Sequence, residues 1–376
     1  MARIKILTAG ESHGKKITGI IEGLPSGLSL NKEKINYQLQ RRQKGFGRGG
    51  RMQIEKDEVE ILSGVRFGNT LGSPITIQIT NRDWDNWKKS MAIWEQYKTK
   101  PVTVPRPGHA DLAGSVKYDT SDIRNILERA SARETAIRVA MGAIIRQFLN
   151  VFGITIVSQI TSIHDIVVPL TFQKLSEQSS RYIIKQLNQL AEKAESSSLN
   201  CSDPKAEKQM IDKIKMIQEK GDSLGGSFEV AGLGVPIGLG NHISAPSRLD
   251  SIIAADMMSI PGIKSVEIGL GTESSTRLGS EMHDPITPGK NGLFERTSNR
   301  AGGIEGGISN GEPIIVRAVM KPIPTLIRPL PSVDIVTGKA VKAHKERTDT
   351  CSVPSASVVG EAMLAISLGK AFCEKY

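Results

Sequence analysis

Residues 122–150 read DIRNILERASARETAIRVAMGAIIRQFLN. Ile123, Ile126, Leu127, Ala130, Ile137, Met141, Ile144 and Phe148 recur at three- and four-residue steps, the spacing that gives a helix one apolar face. Ser121 or Asp122 is placed to cap this helix, and Gly153 lies just beyond its end. On its N-terminal side Arg3 to Thr8 alternates, and Ile17 to Glu22 is apolar and β-branched. Ile75, Ile77 and Ile79 alternate with Thr76, Gln78 and Thr80, so all three stretches read as strands. On its C-terminal side Phe172 to Glu195 and Pro204 to Lys220 read as two amphipathic helices, joined by an exposed, mobile linker at Ser196 to Asn200. Asp203-Pro204 supplies an N-cap and a proline at the first helical position. Short strands follow at Phe228 to Ala231, Val266 to Leu270 and Ile314 to Met320, and Ser355 to Glu374 closes the chain as a helix. Strands and helices do not alternate as βαβ units, which argues against a doubly wound sheet. With no internal repeat and no linker between domains, the expectation is one α+β domain over residues 1–376.

A chain of 376 residues, 39% hydrophobic with mixed charges, buries a large core and is not disordered. No apolar run reaches the roughly 20 residues of a membrane span. The N-terminus enters alternating residues without a signal-peptide core, so a cytoplasmic protein is expected. Cys201, Cys351 and Cys373 are odd in number and widely spaced, giving neither a disulfide framework nor a zinc site; no metal is expected. The net charge of +10 points to an anionic partner. Much of the lysine lies among glutamates in residues 172–220, whereas arginines gather in glycine-rich or helix-adjacent contexts. Aromatic residues are only 4% of the chain, too few for base-stacking platforms, so a small polyanion is expected rather than nucleic acid.

Two of the six histidines sit in loops framed by glycine and proline: Gly10-Glu11-Ser12-His13-Gly14 and Pro105-Arg106-Pro107-Gly108-His109-Ala110-Asp111. Histidine titrates near neutrality, and such framing lets a stiff loop approach a ligand closely. Gly45 to Gly50 satisfies G-x-G-x-x-G, but a polar, basic segment precedes it where a dinucleotide fingerprint needs a buried strand. It reads as a loop that wraps Arg42, Arg48 and Arg51 around an anion, or as a plain surface loop. Arg129 and Arg133, four apart, share a helix face above small residues, either toward a flat ligand or toward solvent. Gly302 to Gly311 offers a phosphate or cofactor cradle, or a tight turn before the strand at Ile314. Lys321-Pro322-Ile323-Pro324-Thr325 ends that strand, and Glu346-Arg347-Thr348-Asp349, alone, reads as a surface ion pair.

Taken together these segments resemble the chorismate synthase family, in the family's order and along essentially the whole chain. The resemblance implies a β–α–β sandwich with central helices between antiparallel sheets, and a homotetramer. It implies a phosphate lyase of aromatic amino-acid biosynthesis that converts 5-enolpyruvylshikimate 3-phosphate to chorismate. The reaction is a 1,4-anti elimination that needs reduced FMN (FMNH2) without net redox change. By similarity His13 protonates the leaving phosphate, His109 protonates or stabilises the reduced flavin near N1, and Asp349, through flavin N5, helps take the ring proton. Arg42, Arg48, Arg106, Arg133 and Arg347 would contact substrate, although part of the family assigns Arg42 and Arg48 to NADP. Flavin contacts would come from Arg129, Ala130, Ser131, Pro261, Gly262, Gly306, Lys321, Pro322, Ile323, Pro324, Thr325 and Arg347. Thr350 stands where many relatives have proline, which is expected to loosen the Asp349 loop. Pro261-Gly262 stands where some have Asn-Ala. Bifunctional members reduce their own flavin with NADPH; no added reductase domain is visible here, so a separate flavin reductase is expected.

Overall fold

The computed structural model describes residues 4–47, 56–177, 182–289, 294–346 and 348–376. Its first sheet contains β1 (Lys5–Ala9), β2 (Lys16–Glu22), β3 (Glu60–Ile61) and β4 (Ile75–Thr80), in the order β1-β2-β4-β3 with antiparallel neighbours. Alternation decides its faces: Ile17, Ile21, Ile75, Ile77 and Ile79 are buried inward, and Lys16, Thr18, Gln78 and Thr80 turn outward. The second sheet contains β5 (Thr155–Ile163), β6 (Ile166–Val167), β7 (Gly226–Leu233), β8 (Ile263–Ile268) and β9 (Ile314–Met320). Its order is β8-β9-β7-β5-β6, again antiparallel throughout.

Between the sheets lie α1 (Lys32–Gln43), α2 (Thr135–Val151) and α5 (Val353–Lys375); α4 (Leu249–Met258) packs on α5, and α3 (Pro204–Lys220) packs against β6. α2 meets the first sheet where Gly19 carries no side chain; a Cβ there would lie 2.8 Å from Ile137 and 2.9 Å from Met141. Gly142 of α2 lets Ala362 of α5 come against its backbone, and a Cβ on Gly360 would lie 2.6 Å from the Phe228 ring of the second sheet. α5 is therefore flanked on both sides and is buried nearly all round from Val353 to Phe372, mostly through apolar residues, with Glu361 enclosed among them. The sandwich of helices between antiparallel sheets is the architecture expected from the resemblance.

The helix layer encloses one ionic cluster. Glu361 accepts from Arg41 at 2.6 and 2.8 Å, from Arg146 at 2.5 Å and from Ser158 at 2.6 Å, and Arg41 Nε also reaches Glu195 at 3.0 Å. Burial alone would raise the Glu361 pKa, but the charges of Arg41 and Arg146 win and bring it down to about 2.

Four expectations change. The stretch 122–150 is not one helix: Arg124–Leu127 is a single turn, Ser131 caps a 3₁₀ turn at Ala132–Glu134, and α2 starts only at Thr135. Tertiary bonding holds the break, because the Glu128 carbonyl accepts from the Ser12 amide at 2.9 Å. Phe172–Ser176 and Ile183–Glu195 are separate helices; Thr171 caps the first, and Tyr182 leaves helical geometry before the second. The 196–200 linker is tied down: Leu199 is fully buried, and Asn200 Nδ2 donates to Ser158 and Ser357. Finally, Val353–Lys375 is long and apolar enough to cross a membrane, yet it is the buried centre of the core.

Candidate active site

The β1–β2 connection, residues 10–15, leaves the first sheet at the end where the broken 128–134 segment passes. Ser12 and His13 of this connection, Arg106, Gly108 to Ala110, Ala130 to Arg133, Ile260 to Lys264, Met320 to Thr325, and Glu346, Thr348, Asp349, Ser352, Ser355 and Ala356 converge on a cavity of about 450 Å³. Asn81, at the end of β4, braces the His13 loop by donating to the carbonyls of Glu11 at 3.1 Å and Gly14 at 2.7 Å.

His13 is held on three sides. Its Nδ1 lies 2.9 and 3.0 Å from the Glu128 carboxylate oxygens, its backbone N–H donates to the same carboxylate at 2.8 Å, and its ring stacks on Trp87 at 3.9 Å. Because a carboxylate only accepts, Nδ1 carries the hydrogen and Nε2 is the nitrogen left for chemistry. Glu128 is itself buried and paired with Arg124 at 3.2 Å.

His109 faces the same cavity from another loop. Asp111 accepts from His109 Nδ1 at 2.5 Å and from Arg106 Nε at 2.8 Å and Nη2 at 3.2 Å. Burial would raise the Asp111 pKa, but the hydrogen bonds from His109 and Arg106 hold it well below the usual carboxylate range. Arg106 Nη1 donates to Thr325 at 3.0 Å and lies 3.5 Å from Glu346. Burial pushes the Glu346 pKa up, but a hydrogen bond from His344 and the charge of Arg106 bring it below the ordinary value.

Arg133 enters the wall from the turn before α2, donating from Nε to Asn81 at 2.8 Å and from Nη1 to Asp57 at 2.5 Å. Asp57 also lies 3.8 Å from Arg42, in the last turn of α1. Opposite them, Asp349 accepts from Ser352 Oγ at 2.9 Å. The next residue does not loosen the loop: the Thr350 amide donates to Gly47 at 2.8 Å, and its carbonyl accepts from Leu224 at 2.8 Å. Proline at position 350 would lack that N–H.

A family model described as chorismate synthase matches residues 4–373. The chain belongs to the chorismate synthase family. It is 55% identical to the chorismate synthase of Aquifex aeolicus (strain VF5), an alignment that covers 99% of this chain and 93% of that protein. It is 52% identical to the chorismate synthase of Syntrophomonas wolfei, over 99% of this chain and 92% of the relative. A crystal structure of chorismate synthase superposes with a TM-score of 0.78 at 44% identity, covering 100% of this chain and 93% of that one. The chain is thus a phosphate lyase of aromatic amino-acid biosynthesis, in a family that uses reduced flavin.

Of the residues singled out in the sequence, His13, His109, Asp349, Arg42, Arg106, Arg133, Ala130, Ser131, Pro261, Gly262 and Lys321 to Thr325 all line the cavity. Arg129 does not: it is exposed and donates to the carbonyls of Gly10 and Thr8, so it shares no helix face with buried Arg133. Gly306 also lies off the wall. It and Gly307, at φ 58° and 85°, form the turn of a hairpin between Ile304–Glu305 and Ile308–Ser309, as the turn reading of this segment requires. Arg48, Arg51 and Arg347 lie outside the described residues.

Sequence reading missed the partners. Glu128, Trp87, Asp57 and Asn81 position the catalytic candidates, and no local pattern marks them. For Asp111 a signal existed, two residues from His109 in a stiff loop.

Proposed function

We propose that this cavity runs the family's reaction, the elimination of phosphate from 5-enolpyruvylshikimate 3-phosphate to give chorismate, in the presence of reduced FMN. The observation that carries the reading is the convergence of His13, His109 and Asp349, from three distant segments, on one cavity lined by Arg42, Arg106, Arg133 and Lys321. A substrate with two carboxylates and a phosphate needs such cations, and a leaving phosphate needs a proton donor. His13 presents Nε2 for that proton, with Glu128 behind the ring to stabilise the charged form. Arg42 and Arg133 would anchor the substrate's anionic groups; whether Arg42 also meets NADP is decided by titration with that nucleotide. Asp349 is the carboxylate for the ring proton. Arg106 spends its fork on Asp111 and Thr325, so it frames His109 while adding charge to the wall.

The wall also suits the flavin. Pro261, Pro322, Ile323 and Pro324 give stiff apolar surfaces, Ala130 and Ser131 leave room, and Lys321 and Thr325 supply donors. A Cβ at Gly262 would lie 3.1 Å from Met320, so the bare glycine keeps this wall open. Bound reduced flavin supplies transient electron density that eases departure of phosphate. His109, held by Asp111, would stabilise negative charge on that group. The reading uses neither Arg129 nor Gly306.

It takes the chain as a single functional domain, working as a homotetramer in the cytoplasm, with reduced flavin delivered by a separate reductase. The shared core of both sheets and the helix layer supports the single domain, and large exposed side chains such as Phe67, Trp94 and Ile243 support association.

The test is an anaerobic assay with chemically reduced FMN and 5-enolpyruvylshikimate 3-phosphate, without NADPH, following chorismate by its ultraviolet absorbance. Product at catalytic flavin levels is expected. Its absence without NADPH and appearance with it would replace the separate reductase by a built-in one, and absence under both conditions would overturn the reading.

A further inference from the structure

The stack between His13 and Trp87 is part of no expectation drawn from the sequence. Trp87 closes a single helical turn, Trp84–Trp87, and its ring lies 3.9 Å from the His13 ring at an interplanar angle of 22°. That turn is fixed from both ends. Asp83 accepts from Trp87 Nε1 at 3.1 Å and from Asn86 at 2.6 Å, and Asn81 holds the His13 loop through the Glu11 and Gly14 carbonyls. Indole and imidazole are thus carried by segments bonded to each other. Glu128 meets the ring edge at Nδ1 while Trp87 covers a face. Trp87 is half-buried and lies outside the hydrophobic core.

We propose that Trp87 is a positioning residue for the proton delivered by His13: with Glu128 it fixes the plane and tautomer of the imidazole, so that Nε2 points into the cavity. This rests on the role given to His13 above. An indole face attracts a cationic ring and an edge carboxylate orients it, so the pair defines both the tilt and the rotation of the side chain. A ring free to rotate would present Nε2 to the leaving group for only part of the time, and turnover would fall without a matching loss of substrate affinity. The contact also makes Trp87 an optical reporter, because a stacked imidazolium quenches indole emission more than neutral imidazole does. Among the described residues the charged groups around the pair include Glu128 and Arg124 from the 124–128 segment, Asp83 bonded to the indole, and Glu346 from the 346–349 segment.

The chain has three tryptophans, so the double variant Trp84→Phe, Trp94→Phe leaves Trp87 as the sole indole. Its emission should fall as pH is lowered through the range where histidine protonates, and the change should vanish when His13→Gln is added. It should shift in midpoint when Glu128→Gln is added instead. In turnover, Trp87→Ala should lose about 10-fold or more in kcat with KM within about 3-fold, and Trp87→Phe should restore most of the loss. A flat emission profile, or a Trp87→Ala variant with unchanged kcat, would overturn the proposal. So would a Trp87→Phe variant as impaired as Trp87→Ala. Emission needs no turnover, so the two readings fail separately. A pH-dependent, His13-dependent signal in a protein that makes no chorismate would leave the clamp standing and sink the assigned reaction. A flat signal in an active enzyme would do the reverse. Should Trp87→Ala fail to fold, the emission profile of the double variant still decides.

Discussion

Arg41 and Arg146 close on Glu361 inside the helix layer, whereas Arg42 and Arg133 share Asp57 at the cavity wall. Two of these arginines are neighbours in sequence and sit in the last turn of α1, one helical step apart. In the first cluster the charges balance among the described residues, two guanidiniums against Glu361 and Glu195, and a serine fills a remaining acceptor site. In the second, Arg42 and Arg133 both reach Asp57, at 3.8 and 2.5 Å, on the wall of the cavity. A cluster enclosed among helices holds structure; one that lines a cavity puts its guanidiniums within reach of a ligand's anionic groups.

The largest effect should come from breaking the balanced cluster. Glu361→Gln leaves Arg41 and Arg146 buried against an uncharged amide and should cost about 3–5 kcal/mol, read by denaturant unfolding. The Glu361 pKa falls from 4.5 to about 2 on folding, so the unfolded state binds its proton first as pH drops. Its stabilisation is full above the unfolded value and is lost as pH falls toward 2; the variant should lack this part of the acid sensitivity. Equal acid profiles for the two proteins would remove Glu361 from the balance.

At the cavity, His13→Ala should lower turnover by roughly 10²-fold or more, as loss of a general acid does, while reduced flavin still binds. Near-normal chorismate formation would refute the role. Arg133→Lys keeps the charge but cannot span Asn81 and Asp57 with one planar fork, so substrate KM should rise roughly 10-fold. If stability falls by as much as binding does, the second cluster is structural after all and the contrast fails. Smallest should be Thr350→Pro: losing the bond to Gly47 should cost about 1 kcal/mol, seen as a lower Tm. An unchanged Tm would mean that the Asp349 loop is fixed by its other contacts.

Legibility followed where the determining interactions lay. α3 runs from Pro204 to Lys220 as read, because its Asp203 cap, first-position proline and terminal Gly221 are local signals. β9 likewise spans Ile314–Met320 as read. The break at residues 128–131 was not legible, because it depends on the Ser12 amide more than a hundred residues away. The same holds for the linker, pinned by burial of Leu199. At the site, glycine and proline framing exposed His13 and His109, whereas Glu128 looks like any helical acid and Trp87 sits in a polar run. Arg41 and Arg42 show the limit most plainly, since adjacent identical residues acquire opposite duties from the direction in which the helix turns them.

α5 is synthesised after every strand of both main sheets, yet it occupies the middle of the sandwich. Until Val353–Lys375 has left the ribosome, the second sheet has no helix to cover its Phe228 and Val230 face, and Arg41 and Arg146 have no Glu361. The nascent chain therefore carries exposed apolar surface through nearly all of its translation, the condition that recruits chaperones and favours aggregation. Folding of this enzyme is completed from its centre, by a helix that arrives only after both sheets have been made.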